Sequence, residues 1–407
     1  MNPLSIVENE FDTCLRCGEC LKNCPVLHYP EEKAIAEITK LRNWDDSEVL
    51  EKCISCYSCN AFCPNGNHPY ELILSHRYKK YLQTRKIPGR TKGALPLNKR
   101  NFLYFAKKKM SEYELSLLKK WEKNSHSDLS GYDEVILAGC NFRIYPYILD
   151  SPIFGETPVI GADDLCCGEV YFRMGLFNIV EKIVPHIEKR YKQMRIKKLI
   201  VPCMAGFNML KNVLPEEFGA KFDFEVEYGG EWILKKLERG EIEVKRKLNR
   251  TISIQESCHA KVLGEKYIEI PRKIIEKIGG KIREIPHWGK NAICCGAADG
   301  IRNYNPIDIL RGAFRELSEA KSVKTEIFSP YCATCLLILS TGKLFYPASF
   351  QIEHLYELVH YAAGYNPKPS PLKRAFQVIE GLVPSAIPEI ALFTKFNPEK
   401  DLKNLSD

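Results

Sequence analysis

Cys294 and Cys295 stand side by side in the stretch NAICCGAADG, with Gly296 directly after them. A disulfide between neighbours does not explain them, since its geometry needs Cα atoms several ångströms apart and converging Cβ directions. The other cysteines carry the explanation. There are 17 in 407 residues, an odd number, and most fall in clusters. The opening MNPLSIVENEFD has neither a basic start nor an apolar core, so no signal peptide is expected and the chain is read as cytoplasmic. Clustered cysteines in that setting bind metal more often than they pair as disulfides.

Two clusters share one spacing. CLRCGECLKNCP places Cys14, Cys17, Cys20 and Cys24 before Pro25, and CISCYSCNAFCP places Cys53, Cys56, Cys59 and Cys63 before Pro64. Both match the C-x2-C-x2-C-x3-C-P run of bacterial ferredoxins, in which three thiolates wrap one cubane and the fourth reaches a second. The expected sets are Cys14, Cys17, Cys20 and Cys63 on one [4Fe–4S] cluster, and Cys53, Cys56, Cys59 and Cys24 on the other. Zinc is the competing reading, but zinc sites use paired C-x2-C knuckles rather than two identical runs of four.

Further along, 35 residues separate Cys258 from Cys294, 36 separate Cys295 from Cys332, and Cys335 completes a C-x2-C. This order resembles the CCG domain of the heterodisulfide reductase family, in its catalytic subunit or in the form where that subunit is fused to the ferredoxin-type one. The resemblance implies that Cys258, Cys294, Cys295, Cys332 and Cys335 together hold a non-cubane [4Fe–4S] cluster at the catalytic site. Adjacent cysteines then let one backbone turn offer thiolates to two irons, and Gly296 lets that backbone come close. His259 can donate a hydrogen bond or a proton beside the cluster, or be a satisfied histidine at a strand end.

An incomplete copy precedes this motif. Cys140, Cys166-Cys167-Gly168 and Cys203 answer to Cys258, Cys294-Cys295-Gly296 and Cys332 at offsets of 118, 128 and 129 residues. Gly206 stands where a fifth cysteine is expected, and the first gap is short at 25 residues. Two readings stand for Cys140, Cys166, Cys167 and Cys203: a further iron–sulfur cluster, cubane or altered, which is favoured, or a vestigial site. The resemblance runs from Cys14 to Leu358 and leaves none of the 17 cysteines over. The same domain order occurs in iron–sulfur subunits of glycerol-3-phosphate, glycolate and lactate dehydrogenases.

The elements that must position these thiols are legible too. DEVILAGC, KKLIVPC, TISIQESC and KTEIFSPYC read as buried strands ending on Cys140, Cys203, Cys258 and Cys332, with helical patterns between them. The expected fold is an α-helical dicluster ferredoxin domain over residues 1–75, a basic helical connector over 76–130, and two related α/β CCG domains over 131–250 and 251–364. A tail over 365–407 is apolar, is interrupted by Pro384 and Pro388, and is expected to pack on the protein itself. From Arg77 to Lys123 there are 15 Lys and Arg against 3 Asp and Glu. That charge suits a solvated helix or an acidic partner subunit better than nucleic acid. His28, His68, His287 and His354 read as surface or packing residues.

No G-x-G-x-x-G or G-x4-G-K-[ST] run is present, so the chain is expected to own no nicotinamide or flavin site. Electrons must cross to a redox partner subunit, a flavoprotein or a membrane cytochrome. No membrane span of its own is expected. The leading expectation is an oxidoreductase subunit that passes electrons through the cubanes to the CCG cluster for disulfide or thiol chemistry on a small molecule. The alternative is the electron-relay subunit of a flavin-dependent dehydrogenase feeding a quinone or cytochrome. A non-catalytic metal scaffold is the third reading.

Overall fold

The computed structural model describes residues 13–303, 305–366 and 370–405; the MNPLSIVENEFD stretch lies outside them. Around the two ferredoxin-type runs the chain is helical: α1 (Glu19–Lys22), α2 (Glu31–Arg42), α3 (Ser58–Ala61) and α4 (Pro69–Thr84). The second run bends through left-handed backbone at Ser55 (φ 60°) and Tyr57 (φ 64°). Such a conformation costs a non-glycine residue roughly 1–2 kcal/mol. Packing offsets it here, because Tyr57 is buried against Tyr70 with ring centroids 4.5 Å apart.

Helix α4 starts with Pro69 at its first turn, where a missing N–H costs nothing. It runs through the boundary predicted between residues 75 and 76. The connector continues as β1 (Ile87–Pro88), α5 (Phe102–Lys107) and α6 (Glu112–Asn124). A capping box holds the start of α6: Ser111 accepts from the Glu114 amide, and the Glu114 carboxylate accepts from the Ser111 amide.

Beyond the connector, strands and helices alternate. β2 (Val135–Leu137), β3 (Val159–Ile160), β4 (Lys198–Val201) and β5 (Glu225–Tyr228) form a parallel sheet in the order β3-β2-β4-β5. α7 (Glu169–Arg173), α8 (Phe177–Met194) and α9 (Met204–Asn208) lie between its strands. β6 (Thr251–Gln255), β7 (Lys281–Ile282), β8 (Ile327–Pro330) and β9 (Gln351–Ile352) form a second parallel sheet in the order β7-β6-β8-β9. Its helices include α10 (Glu265–Lys277), α11 (Ala297–Asn303), α12 (Pro306–Ser322) and α13 (Ala333–Lys343). Both sheets thus follow one strand order. Ile136, Ile200, Ile252 and Phe328 are fully buried, as in parallel sheets covered on both faces. The four predicted strands are β2, β4, β6 and β8, and each delivers its cysteine just past its carboxyl end. The fold class is as expected: a helical dicluster part, then α/β sheets.

The tail begins as a helix. α14 (Pro371–Ala391) contains both Pro384 and Pro388 without breaking. It packs on α5 and α13, and its Arg374, fully buried, reaches the Glu114 carboxylate. Phe376, Val383 and Ile387 on its outer side stay exposed. β10 (Lys395–Phe396) then pairs antiparallel with β1, Phe396 opposite Ile87. Lys92 pairs with Glu389 at 2.6 Å and Lys109 with Glu380 at 3.2 Å, so the tail itself answers part of the connector's positive charge. Among the described residues no helix is long and apolar enough to cross a membrane.

Candidate metal centres and their junction

The ferredoxin-type cysteines fall into two neighbouring groups. Burial raises the Cys20 thiol first, and the charges of Cys63, Cys14 and Cys17 raise it further. Burial pushes Cys24 up to about 12, with Cys56 and Cys53 adding to it. Cys59 is raised by burial, then by Cys53, Cys20, Cys56 and Cys24. Cys20 therefore sits among Cys14, Cys17 and Cys63, while Cys24 sits among Cys53, Cys56 and Cys59. Each run thus places its last cysteine, Cys24 or Cys63, beside cysteines of the other run. Among the described residues no three ligating side chains converge on a single-ion site.

The second CCG motif brings its five cysteines together. Cys294, Cys295, Cys335 and Cys332 form a hydrogen-bonded row of sulfurs that continues to Cys203 of the first copy. Hydrogen bonds from Cys294 and Cys335 pull Cys295 down to about 6, and those from Cys203 and Cys335 pull Cys332 well below the usual thiol range. Burial pushes Cys258 up to about 11, opposed by Arg173, with Cys294 nearby. The Gly296 amide donates to the Cys294 sulfur at 3.3 Å. Buried, mutually close thiols without disulfides are the chemistry of an iron–sulfur ligand set, and these residues fit one.

In the first copy, burial raises Cys166 and Cys167, and each feels the charge of Cys140; Cys203 closes the group through Cys167. Together with Gly206 and Glu169 they line a cavity of about 40 Å³. A Cβ at Gly206 would stand 4.0 Å from the Cys167 sulfur and 3.8 Å from Cys203 Cβ. The place of the missing fifth cysteine therefore points into this cavity.

His259 is placed beside Cys258 and is fully buried, but its neighbours were not foreseen. Its Nε2 lies 2.9 Å from Arg173 Nη2 and 3.1 Å from Glu169 Oε1, and Asn208 Nδ2 stands 3.2 Å from its Nδ1. Burial and then Arg173 lower its pKa, so it is neutral. Arg173, from α7 of the first copy, donates to the Cys258 sulfur at 2.9 Å and to Glu169 at 2.8 Å. The same guanidinium donates to the carbonyl of Ser55, between Cys53 and Cys56, and lies 4.1 Å from the centroid of the Tyr57 ring. Burial alone would raise the Glu169 carboxyl, but His259 and Arg173 more than offset it and keep it ionised. Lys261 makes a second bridge, donating to Ser58 Oγ at 2.7 Å and to the Ala292 carbonyl at 2.5 Å. The sequence did carry one trace of this: Glu169 and Arg173 are an i, i+4 pair directly after a Cys-Cys-Gly turn. Of the remaining histidines, His354 caps a helix while fully buried, and His287 pairs with Glu319. His28 and His68 stay within the ferredoxin part.

Comparison with known proteins agrees with this geometry. The family described as "4Fe-4S dicluster domain" matches residues 6–64. The "Cysteine-rich domain" family, CCG, matches residues 252–340, which contain all five cysteines of the second motif. Residues 6–64 and 252–340 thus carry a dicluster-type and a CCG domain. Over 410 residues it is 23% identical to a subunit of the dihydromethanophenazine:CoB–CoM heterodisulfide reductase of Methanosarcina mazei, covering 88% of this chain and 95% of that one. The EtfAB:quinone oxidoreductase of Syntrophomonas wolfei is 20% identical over 82% of this chain and 55% of its own length. A probable iron-sulfur-binding oxidoreductase, FadF, of Bacillus subtilis is 24% identical over half of this chain. The CCG-domain protein thus has oxidoreductases among its relatives, at low identity.

Proposed function

We propose that this protein is the subunit of an iron–sulfur oxidoreductase that carries electrons inward through two cubanes and spends them, at the second CCG motif, on a disulfide. Cys14, Cys17, Cys20 and Cys63 hold one [4Fe–4S] cubane, and Cys24, Cys53, Cys56 and Cys59 the other. Cys258, Cys294, Cys295, Cys332 and Cys335 hold a non-cubane cluster. When bound, the clusters supply one-electron steps and, at the CCG motif, an iron accessible to sulfur. The net reaction takes one disulfide, two electrons and two protons to two thiols. The electrons come from a partner flavoprotein or cytochrome, the protein being cytoplasmic and reaching a membrane only through that partner.

One observation carries the reading: the loop between Cys53 and Cys59 and the second motif share a single hydrogen-bonded junction. Arg173 joins Ser55 to Cys258, and Lys261 joins Ser58 to Ala292. Electron donor and electron acceptor are therefore held in one rigid contact. A narrow cleft supports a substrate site beside it. Phe102, Ile144, Ile309 and Leu337 line its walls, and it reaches Cys140, Asn141 and Thr334 between the two motifs. No charged side chain lines it, which suits an uncharged thiol or disulfide end.

The same uncharged cleft, with the EtfAB:quinone oxidoreductase relative, favours one second reading: a relay that hands electrons from a flavin dehydrogenase to a quinone. Anaerobic protein, oxidised and mixed with candidate thiols, separates the two. Disulfide chemistry predicts a new paramagnetic signal specific to the productive thiol. Silence toward every thiol, with reduction by a co-purifying flavoprotein, would leave only the relay.

A further inference from the structure

Arg173 is a charged side chain sealed in the interior, only 2% exposed, and it belongs to neither ligand set. Burying a guanidinium is expensive, and a pair of this kind can often be replaced by apolar packing without loss. Its contacts say what it does instead. It gives one donor to the sulfur of Cys258 and another to the Ser55 carbonyl, and a third binds Glu169. A positive donor on a ligand sulfur stabilises the more negative, reduced state of the centre that sulfur holds. Glu169 opposes it by partly neutralising the guanidinium.

We propose that Arg173 is a positioning residue that sets the reduction potential of the centre at Cys258, Cys294, Cys295, Cys332 and Cys335, with Glu169 as its counterweight. The inference rests on the cluster assignment above. A centre held by these five cysteines would be reduced one electron at a time by a cubane beside Ser55, which would be oxidised in the same step. By making reduction easier at Cys258, Arg173 gives that transfer its direction.

The internal repeat supports this. At the 128-residue offset of the paired cysteines, Glu169 and Arg173 correspond to Ala297 and Ile301. The second copy therefore returns no arginine to the first. Only the complete motif receives the donor, and it comes from the half that has lost a cysteine.

The test is a redox titration of the whole anaerobic protein followed by electron paramagnetic resonance, with iron content measured in parallel. Arg173→Gln should make the CCG centre at least tenfold harder to reduce, a fall of about 59 mV for one electron. The cubane beside Ser55 should shift by less, and the other cubane should be unmoved. Arg173→Lys should give a smaller fall in the same direction, and Glu169→Gln should shift the centre the other way. Opposite signs cannot come from loosened packing alone. If Arg173→Gln does not fold, the Lys and Glu169→Gln variants decide by the same signs. The inference is overturned if the variants keep their iron and the potential stays put, or if both shift it the same way. Wild-type protein holding iron for the two cubanes only would overturn the cluster assignment, and the inference with it.

Discussion

The two CCG copies start from one plan. In each, a strand ends at a single cysteine, a Cys-Cys-Gly turn follows, and a fourth cysteine stands at the start of a helix after the third strand. The glycine amide donates back to the sulfur two residues earlier, at 3.4 Å in the first copy and 3.3 Å in the second. They part at a few positions. The second keeps Cys335 where the first has Gly206. The first carries Glu169 and Arg173 where the second has Ala297 and Ile301. The glycines also differ in company: a Cβ at Gly296 would meet the Ile309 carbonyl oxygen at 2.3 Å, whereas at Gly168 the nearest atom is a Val180 methyl at 3.4 Å. One copy carries the full five cysteines, and the other carries polar groups that contact its neighbour.

That contrast can be broken most sharply at the paired cysteines. Cys295→Ala should strip one cluster and leave the two cubanes, as read by iron analysis and low-temperature spectra; an iron count equal to wild type refutes the assignment. Cys167→Ala, in the first copy, removes further iron only if that copy is loaded.

A smaller but still large difference is expected at the glycines. Both need left-handed backbone, φ 106° at Gly296 and 79° at Gly168. Gly168→Ala should cost roughly 1–2 kcal/mol, the strain alone. Gly296→Ala adds an overlap with backbone that cannot move aside, and should cost about 3 kcal/mol or more. Thermal unfolding of the two variants compares them, and equal losses would mean that the Gly296 turn is not held against α12.

The mildest change sharpens the comparison instead. Gly206 lies within α9 with room for a Cβ at ordinary contact distances. Gly206→Ala should stabilise by about 0.5–1 kcal/mol through helix propensity. Gly206→Cys should keep the fold and complete a fifth thiol facing the cavity, with a gain or change of the iron signal from the first copy. Identical spectra from Gly206→Cys and Gly206→Ala would show that a thiol at position 206 takes no part in metal binding by the first copy.

The legible parts of the molecule were those written in local spacing. The two cysteine runs are legible over twelve residues each, and the strands end where apolar runs meet a cysteine. The junction was not legible because its partners are far apart in the chain. Arg173 reaches 118 residues back to Ser55 and 85 forward to Cys258. Nothing in the neighbourhood of any one of them announces the others. Helix α4 crosses residue 75 for a related reason: composition changes there, but the helical pattern does not. In the tail, Pro384 and Pro388 read as breaks, yet contacts with α5 and α13 outweigh the hydrogen bonds they remove.

Lys261 and Arg173 also set a limit on how this chain can be divided. The segment 251–364 contains every sulfur of the second motif, yet Cys258 takes a hydrogen bond from Arg173, its neighbour His259 contacts Glu169 and Asn208, and Lys261 reaches Ser58. Cut free, it would own its ligands and lack their supports. The smallest autonomous unit that can assemble this centre is therefore larger than the stretch that encodes it, and a domain transplanted by its cysteine pattern alone would arrive incomplete.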